Sequence, residues 1–175
     1  MGNDAFKEIS MVYLILIPLL VACDQLVKKW TVTTFAAPVG TAVWTADEAI
    51  TGIPGVVEFT RVHNFGAAWS SFSGMRWLLI GVTVVLMAVL VYLWVKKIVR
   101  HPLGKLSLAL ILSGGIGNLI DRVANGYVVD TFNLTFMNYP VFNVADICVV
   151  AGAIGGAIYY LWLYDKFDAK KDKKA

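Results

Sequence analysis

The sequence predicts an all-α polytopic membrane protein: four transmembrane helices with a small extracytoplasmic β platform and an interfacial helix. Three observations predict it. Of 175 residues, 58% are hydrophobic and only 15% are charged, whereas soluble domains carry about 45–50% apolar and about 25% charged residues. Mean hydropathy is +0.70. The apolar residues gather into four stretches, at about 9–29, 77–95, 103–123 and 141–164, each close to the roughly 20 residues that cross a bilayer core. Lipid offers backbone groups no partner, so such stretches are helical. Residues 1–175 then form a single membrane domain, with outer loops at about 30–76 and 124–140.

Several classes fall away on composition. This much apolar surface excludes a disordered chain. A net charge of +3, with its cations placed at the ends of apolar stretches, argues for no nucleic-acid partner. Cys23 and Cys148 both lie in apolar runs, so neither a disulfide scaffold nor a zinc site is expected.

The first stretch contains Leu20-Val21-Ala22-Cys23, which looks like the lipobox of a secreted lipoprotein. A cleaved signal starts with a positive segment. Here the first ten residues carry Asp4, Lys7 and Glu8, so the stretch is read as a retained anchor. The loop that follows is too long for a plain connection. Within it, Gly55 to Val62 is rich in β-branched and aromatic residues and reads as a short strand after the Ile53-Pro54-Gly55 turn signal. Trp69, Phe72 and Trp77 stand among serines and glycine, a mixture that favours the headgroup level and predicts an interfacial segment. Ser113-x-x-x-Gly117 in the third stretch and Gly152-x-x-x-Gly156 in the fourth read as close helix packing. Gly126 and Pro140 bracket the second outer loop as turn residues.

Orientation follows from Lys and Arg. Ten of the fifteen fall on the side of the termini and five on the other. Both termini are therefore expected in the cytoplasm, and the cationic tail from Lys166 to Lys174 is a topology anchor beside anionic headgroups.

Ionisable groups inside a spanning helix cost about 2.5–3.5 kcal/mol each on insertion scales and signal function. Asp24 and Lys28 share one face of the first span; Asn118, Asp121 and Arg122 share the outer end of the third; Asn143 and Asp146 open the fourth; Asp130 lies in the second outer loop. All are expected near the outer interface and none near the cytoplasmic one. Asp24–Lys28 and Asp121–Arg122 read as ion pairs, and Asn118 and Asn143 as interhelical hydrogen bonders. Asp130 and Asp146 have no cation beside them in sequence. Spacing leaves them open between a structural role and a dyad that shares one proton. Ser113 next to Gly114-Gly115 suggests a serine-protease alternative, but His63 and His101 lie on opposite sides of the membrane. The same separation excludes a histidine metal cluster. Two further classes stay open: a proton- or ion-translocating protein, which needs polar residues at several depths, and a structural anchor.

Five ordered motifs then narrow the field: Asp24-Gln25-Leu26-Val27-Lys28, Asn64-Phe65-Gly66-Ala67-Ala68-Trp69-Ser70, Gly114 through Val123 (GGIGNLIDRV), Gly126-Tyr127-Val128-Val129-Asp130, and Tyr139 through Asp146 (YPVFNVAD). Together they resemble the signature of bacterial lipoprotein signal peptidases, the signal peptidase II family. The resemblance implies an aspartic endopeptidase of the bacterial cytoplasmic membrane with four spans and no metal or organic cofactor. Such an enzyme removes signal peptides from diacylglyceryl-modified prolipoproteins, cutting before the lipidated cysteine, and is inhibited by globomycin-type peptides; it works beside phospholipid and is expected as a monomer. Residue by residue, Asp130 and Asp146 match the catalytic pair. Asn64, Asn118, Arg122 and Asn143 match site-lining residues, and Asp24, Lys28 and Asp121 match supporting ones. The sequence departs from the pattern at Thr131, where the family usually has Phe, and the step of 16 positions from one acid to the other is slightly short.

Overall fold

The computed structural model describes residues 2–38, 49–67 and 71–168, with side chains from Met11 onward. Four helices are long and apolar enough to cross a membrane: α1 (Gly2–Thr34), α2 (Arg76–Val95), α3 (Pro102–Ala124) and α4 (Val144–Ile158). The last continues through a π-helical turn, Tyr159–Leu163, into the short α5, Tyr164–Phe167. Three of the four expected spans match their helices within a few residues. The first runs five residues further than expected, past Lys28 and Lys29. The physical reason is that Lys28 is not a boundary charge: it is buried and neutralised between two carboxylates. The helix ends instead where Arg61, itself buried, donates to the carbonyls of Val32 and Phe35 at 3.2 and 3.1 Å. Those carbonyls are among the last of a helix, which have no partner within it.

α3 is the centre of the bundle. Half of its spanning residues are buried, against none in α2. Its contact with α4 is close because glycine allows it. A Cβ on Gly114 would strike the carbonyl of Ala145, and one on Gly152 would strike Ser107 and Ile111. Of the small residues read as packing positions, Gly152 meets α3 in this way and Gly117 meets Asp24 of α1 and Ala145 of α4. Ser113 is buried with its hydroxyl donating to the Ala109 carbonyl at 2.6 Å, which removes it as a nucleophile. Cys148 is buried and Cys23 exposed, and neither is bonded to the other.

The platform is a three-stranded antiparallel sheet in the order β1 (Ile50–Ile53), β2 (Val57–Asn64), β3 (Val128–Leu134). Only β2 is foreseen. Seven residues of the second outer loop form a strand: Asp130 belongs to β3, paired with Val62, and is not a loop residue. Gly126, at φ +87°, turns the chain from α3 into β3, a conformation that glycine adopts without strain. The expected interfacial helix around Trp69 and Phe72 lies partly outside the described residues (68–70), and residues 71–74 form a turn.

One expectation is overturned at the far end of the bundle. Polar residues do not gather at the platform end alone. Asp168 is buried, accepts from the backbone N–H groups of Arg100 and His101 at 3.0 and 3.3 Å, and takes the Tyr159 hydroxyl at 2.5 Å. Lys105 is also buried nearby. Sequence spacing hides this cluster because Asp168 lies beyond the apolar run and folds back onto the start of α3.

Candidate active site

The N-terminus of α4 positions one acid through a capping box. Asn143 is the N-cap residue; its side-chain oxygen accepts from the Asp146 N–H at 2.9 Å, and the Asp146 carboxylate accepts from the Asn143 N–H at 3.1 Å. This reciprocal pair satisfies two N–H groups that a helix start leaves open. It also fixes the Asp146 carboxylate at the positive end of the helix dipole, where a negative charge is favoured.

Asn143 has one more group to place, its side-chain NH2. It donates to Asp130 at 2.6 Å and lies 3.1 Å from the Asn118 side-chain oxygen. One asparagine therefore bonds both acids, and Asp130 and Asp146, which spacing alone left open, stand together as the resemblance implies. Each acid has a second amide donor: Asn64 on β2 gives to Asp130 at 3.1 Å, and Asn118 on α3 gives to Asp146 at 2.8 Å. Burial and the neighbouring Asp146 push the Asp130 carboxyl up to about 8, partly offset by the hydrogen bonds from Asn64 and Asn143 and by Lys28. Asp130 thus holds its proton at neutral pH.

The supporting residues form a layer against α1. Lys28 bridges Asp24 at 2.9 Å and Asp121 at 3.0 Å, and donates to the Asn118 oxygen at 2.9 Å. With its oxygen turned to the ammonium, Asn118 must aim its NH2 at Asp146. The carboxylates of this layer also hold backbone: Asp24 accepts from the Ala145 N–H at 2.8 Å, and Asp121 from the Val129 N–H at 3.0 Å. Asp24–Lys28 is the expected ion pair. Asp121–Arg122 is corrected: Asp121 turns inward to Lys28, while Arg122, the next residue on the helix, points away and donates to the Gly66 carbonyl at 2.8 Å.

Both acids face a cavity of about 530 Å³, lined also by Asn64, Asn118 and Arg122. From the acids it extends between α2, α3 and α4 along Thr83, Met87, Leu90, Ile111 and Val150. Its polar groups stand at one end and its apolar walls run into the bundle. This shape suits a substrate with a polar reacting group and an apolar remainder.

Sequence reasoning gives no role around the site to Gln25, Arg61, His63 or Thr131. Gln25 lies within 3.2 Å of Asp24, Asp121 and the Gly117 carbonyl; a lone amide in an apolar span was signal enough to find it. Arg61 ties β2 to the end of α1 and also donates to His63 at 3.0 Å. Burial and that guanidinium lower His63 to about 4, and its ring stacks on Tyr127 at 3.9 Å, so His63 is a neutral packing group. Thr131, where the sequence departs from the pattern it resembles, is buried against Thr31 of α1 at 2.8 Å.

Comparison with known proteins gives the family and the fold. Residues 16–162 match the family model described as Signal peptidase (SPase) II. The lipoprotein signal peptidase of Clostridium acetobutylicum is 42% identical over 138 residues, covering 74% of this chain and 90% of that protein. That of Enterococcus faecalis is 37% identical over 166 residues, covering 95% and 96%. Among solved structures, one described as a bacterial membrane enzyme superposes with a TM-score of 0.76 at 28% identity, covering 86% of this chain and 87% of that one.

Proposed function

Because the chain belongs to the signal peptidase II family, we propose that Asp130 and Asp146 are its catalytic pair and that Asn64, Asn118, Arg122 and Asn143 line the substrate site. The chain is a multi-pass membrane peptidase that removes signal peptides from prolipoproteins. The observation that carries the catalytic assignment is the single Asn143 side chain bonded to both acids at the mouth of a cavity.

The chemistry follows from the difference between the two acids. Asp146 sits at a helix N-terminus with an amide donor oriented by Lys28, so it holds the negative charge. Asp130, pushed up to about 8, keeps the proton. Water between them loses a proton to Asp146 as its oxygen attacks the peptide carbonyl, and Asp130 donates its proton to the carbonyl oxygen. The gem-diol intermediate collapses as Asp146 gives its proton to the leaving amine and one gem-diol hydroxyl returns its proton to Asp130, re-forming the carbonyl of the product acid. The acid and amine products separate, and one shared proton remains on the pair.

The finer assignments complete the reading. The substrate is a diacylglyceryl-modified prolipoprotein cut before its lipidated cysteine, with the apolar cavity walls beside its acyl chains and membrane phospholipid. Globomycin-type peptides occupy the same cavity, and the enzyme acts as a monomer. It lies in the bacterial cytoplasmic membrane with both termini cytoplasmic and the sheet outside. Of the five cations on the sheet side, Lys28 and Arg61 are buried in internal bonds, which sharpens the positive-inside bias. A translocation path is not favoured: on α3, buried Leu108, Ala109 and Leu112 separate the Lys105 cluster from the acids.

Purified protein in detergent, given a diacylglyceryl-modified lipobox peptide, is expected to release the signal fragment by a cut before the modified cysteine. Asp130→Asn and Asp146→Asn remove that activity, and globomycin blocks the wild type. Substantial cleavage by either variant refutes the dyad.

A further inference from the structure

Asp24, Lys28 and Thr31 stand at i, i+4 and i+7 on α1 and so share one helix face. Two of the three grip the residue next to one of the proposed catalytic acids. Asp24 accepts from the N–H of Ala145, immediately before Asp146. Thr31 meets the hydroxyl of Thr131, immediately after Asp130. Lys28, between them, orients Asn118 toward Asp146.

The Thr31–Thr131 contact has a direction. Thr31 has one hydroxyl proton and gives it to the Val27 carbonyl at 2.9 Å. The 2.8 Å bond between the hydroxyls must then use the proton of Thr131, with Thr31 accepting. Both side chains are fully buried, so no water competes for that proton. Side chains alternate across a strand, and Asp130 and Thr131 therefore project from opposite faces of β3. Pinning Thr131 to α1 fixes the height at which Asp130 enters the cavity.

We propose that Thr31 and Thr131 are a positioning pair, which together with Asp24 makes one face of α1 the common reference that aligns the two acids. The inference rests on the aspartic-peptidase reading above. A methyl of equal size fills the same space but sets no height, which separates positioning from packing.

The test uses full-length protein in detergent with the lipobox peptide, measuring kcat, KM and the thermal midpoint of Thr131→Val, Thr131→Ser, Thr31→Val and the double valine variant. Misplacement by a fraction of an ångström lowers turnover by roughly tenfold. Thr131→Val is expected to lose about that in kcat with KM unchanged, and Thr131→Ser, which keeps the donor, to retain wild-type kcat. The double variant is expected to be no slower than Thr131→Val, because both remove one bond. Unchanged kcat in Thr131→Val, or equal losses in Ser and Val, overturns the positioning role; so do additive losses in the double variant. A wild type that cannot cut the peptide overturns the peptidase reading itself, and this inference with it.

Discussion

The bundle buries carboxylates at both ends, and the two ends treat them differently. At the far end, Asp168 is closed in by two backbone N–H groups and a tyrosine hydroxyl. All three meet one carboxylate oxygen, Oδ2, and two of them are backbone groups fixed by the fold. At the sheet end, Asp130 and Asp146 are held by the side-chain amides of Asn64, Asn118 and Asn143, with one backbone N–H on Asp146, and both line an apolar-walled cavity. Burial of charge alone is therefore not a sign of chemistry. What separates the sheet end is a pair of acids facing a shared cavity, the pair proposed to work there.

The strongest attempt to break this contrast removes charge at each end in turn. Asp146→Asn is expected to lower kcat by at least about 10³-fold, since it deletes the group proposed to take the water proton. Next in size is Asn143→Ala. It removes the amide that bonds both acids as well as the helix cap, for an expected loss of about 10²-fold in kcat and about 1 kcal/mol of stability, read by steady-state kinetics and thermal unfolding. The proton assignment gives a third measurement. Asp130 must be protonated to donate, and its value is about 8. Activity should therefore hold below that pH and fall about tenfold per unit above it, as the unprotonated fraction takes over. A profile still rising at pH 9 would place the donated proton elsewhere.

Much of the working end was legible in the sequence because lipid penalises polar residues so heavily that each one in a span is informative. Asp24, Lys28, Asn118, Asp121, Asn143 and Asp146 all announce themselves in this way. Partner choice was less legible. Asp121 and Arg122 are adjacent, yet successive helix residues diverge by about 100°, so one turns to Lys28 and the other to Gly66. Strand β3 was missed because its seven residues include Asp130 and Asn133, which read as loop until pairing with β2 is known. The far cluster was invisible for a similar reason. Its acid follows the last span in sequence, and only the fold-back of α5 brings it to Arg100 and His101.

The smallest expected effect is the one that sharpens the contrast most. Asp168→Asn keeps the shape of the side chain and one acceptor oxygen but removes the charge that faces Lys105, the two N–H groups and the Tyr159 hydroxyl. Hydrogen bonds to a charged group contribute about 1.5–3 kcal/mol, and an amide oxygen retains part of that. The loss of stability should therefore be about 1–2 kcal/mol, seen as a lower thermal midpoint in detergent. Turnover of the lipobox peptide should stay at the wild-type level, because the cluster lies about 20 Å along α3 from Asn118 at the helical rise of about 1.5 Å per residue. If Asp168→Asn slowed kcat as Asn143→Ala does, the two ends would be coupled through α3, and the separation between a structural carboxylate and the proposed catalytic ones would fail.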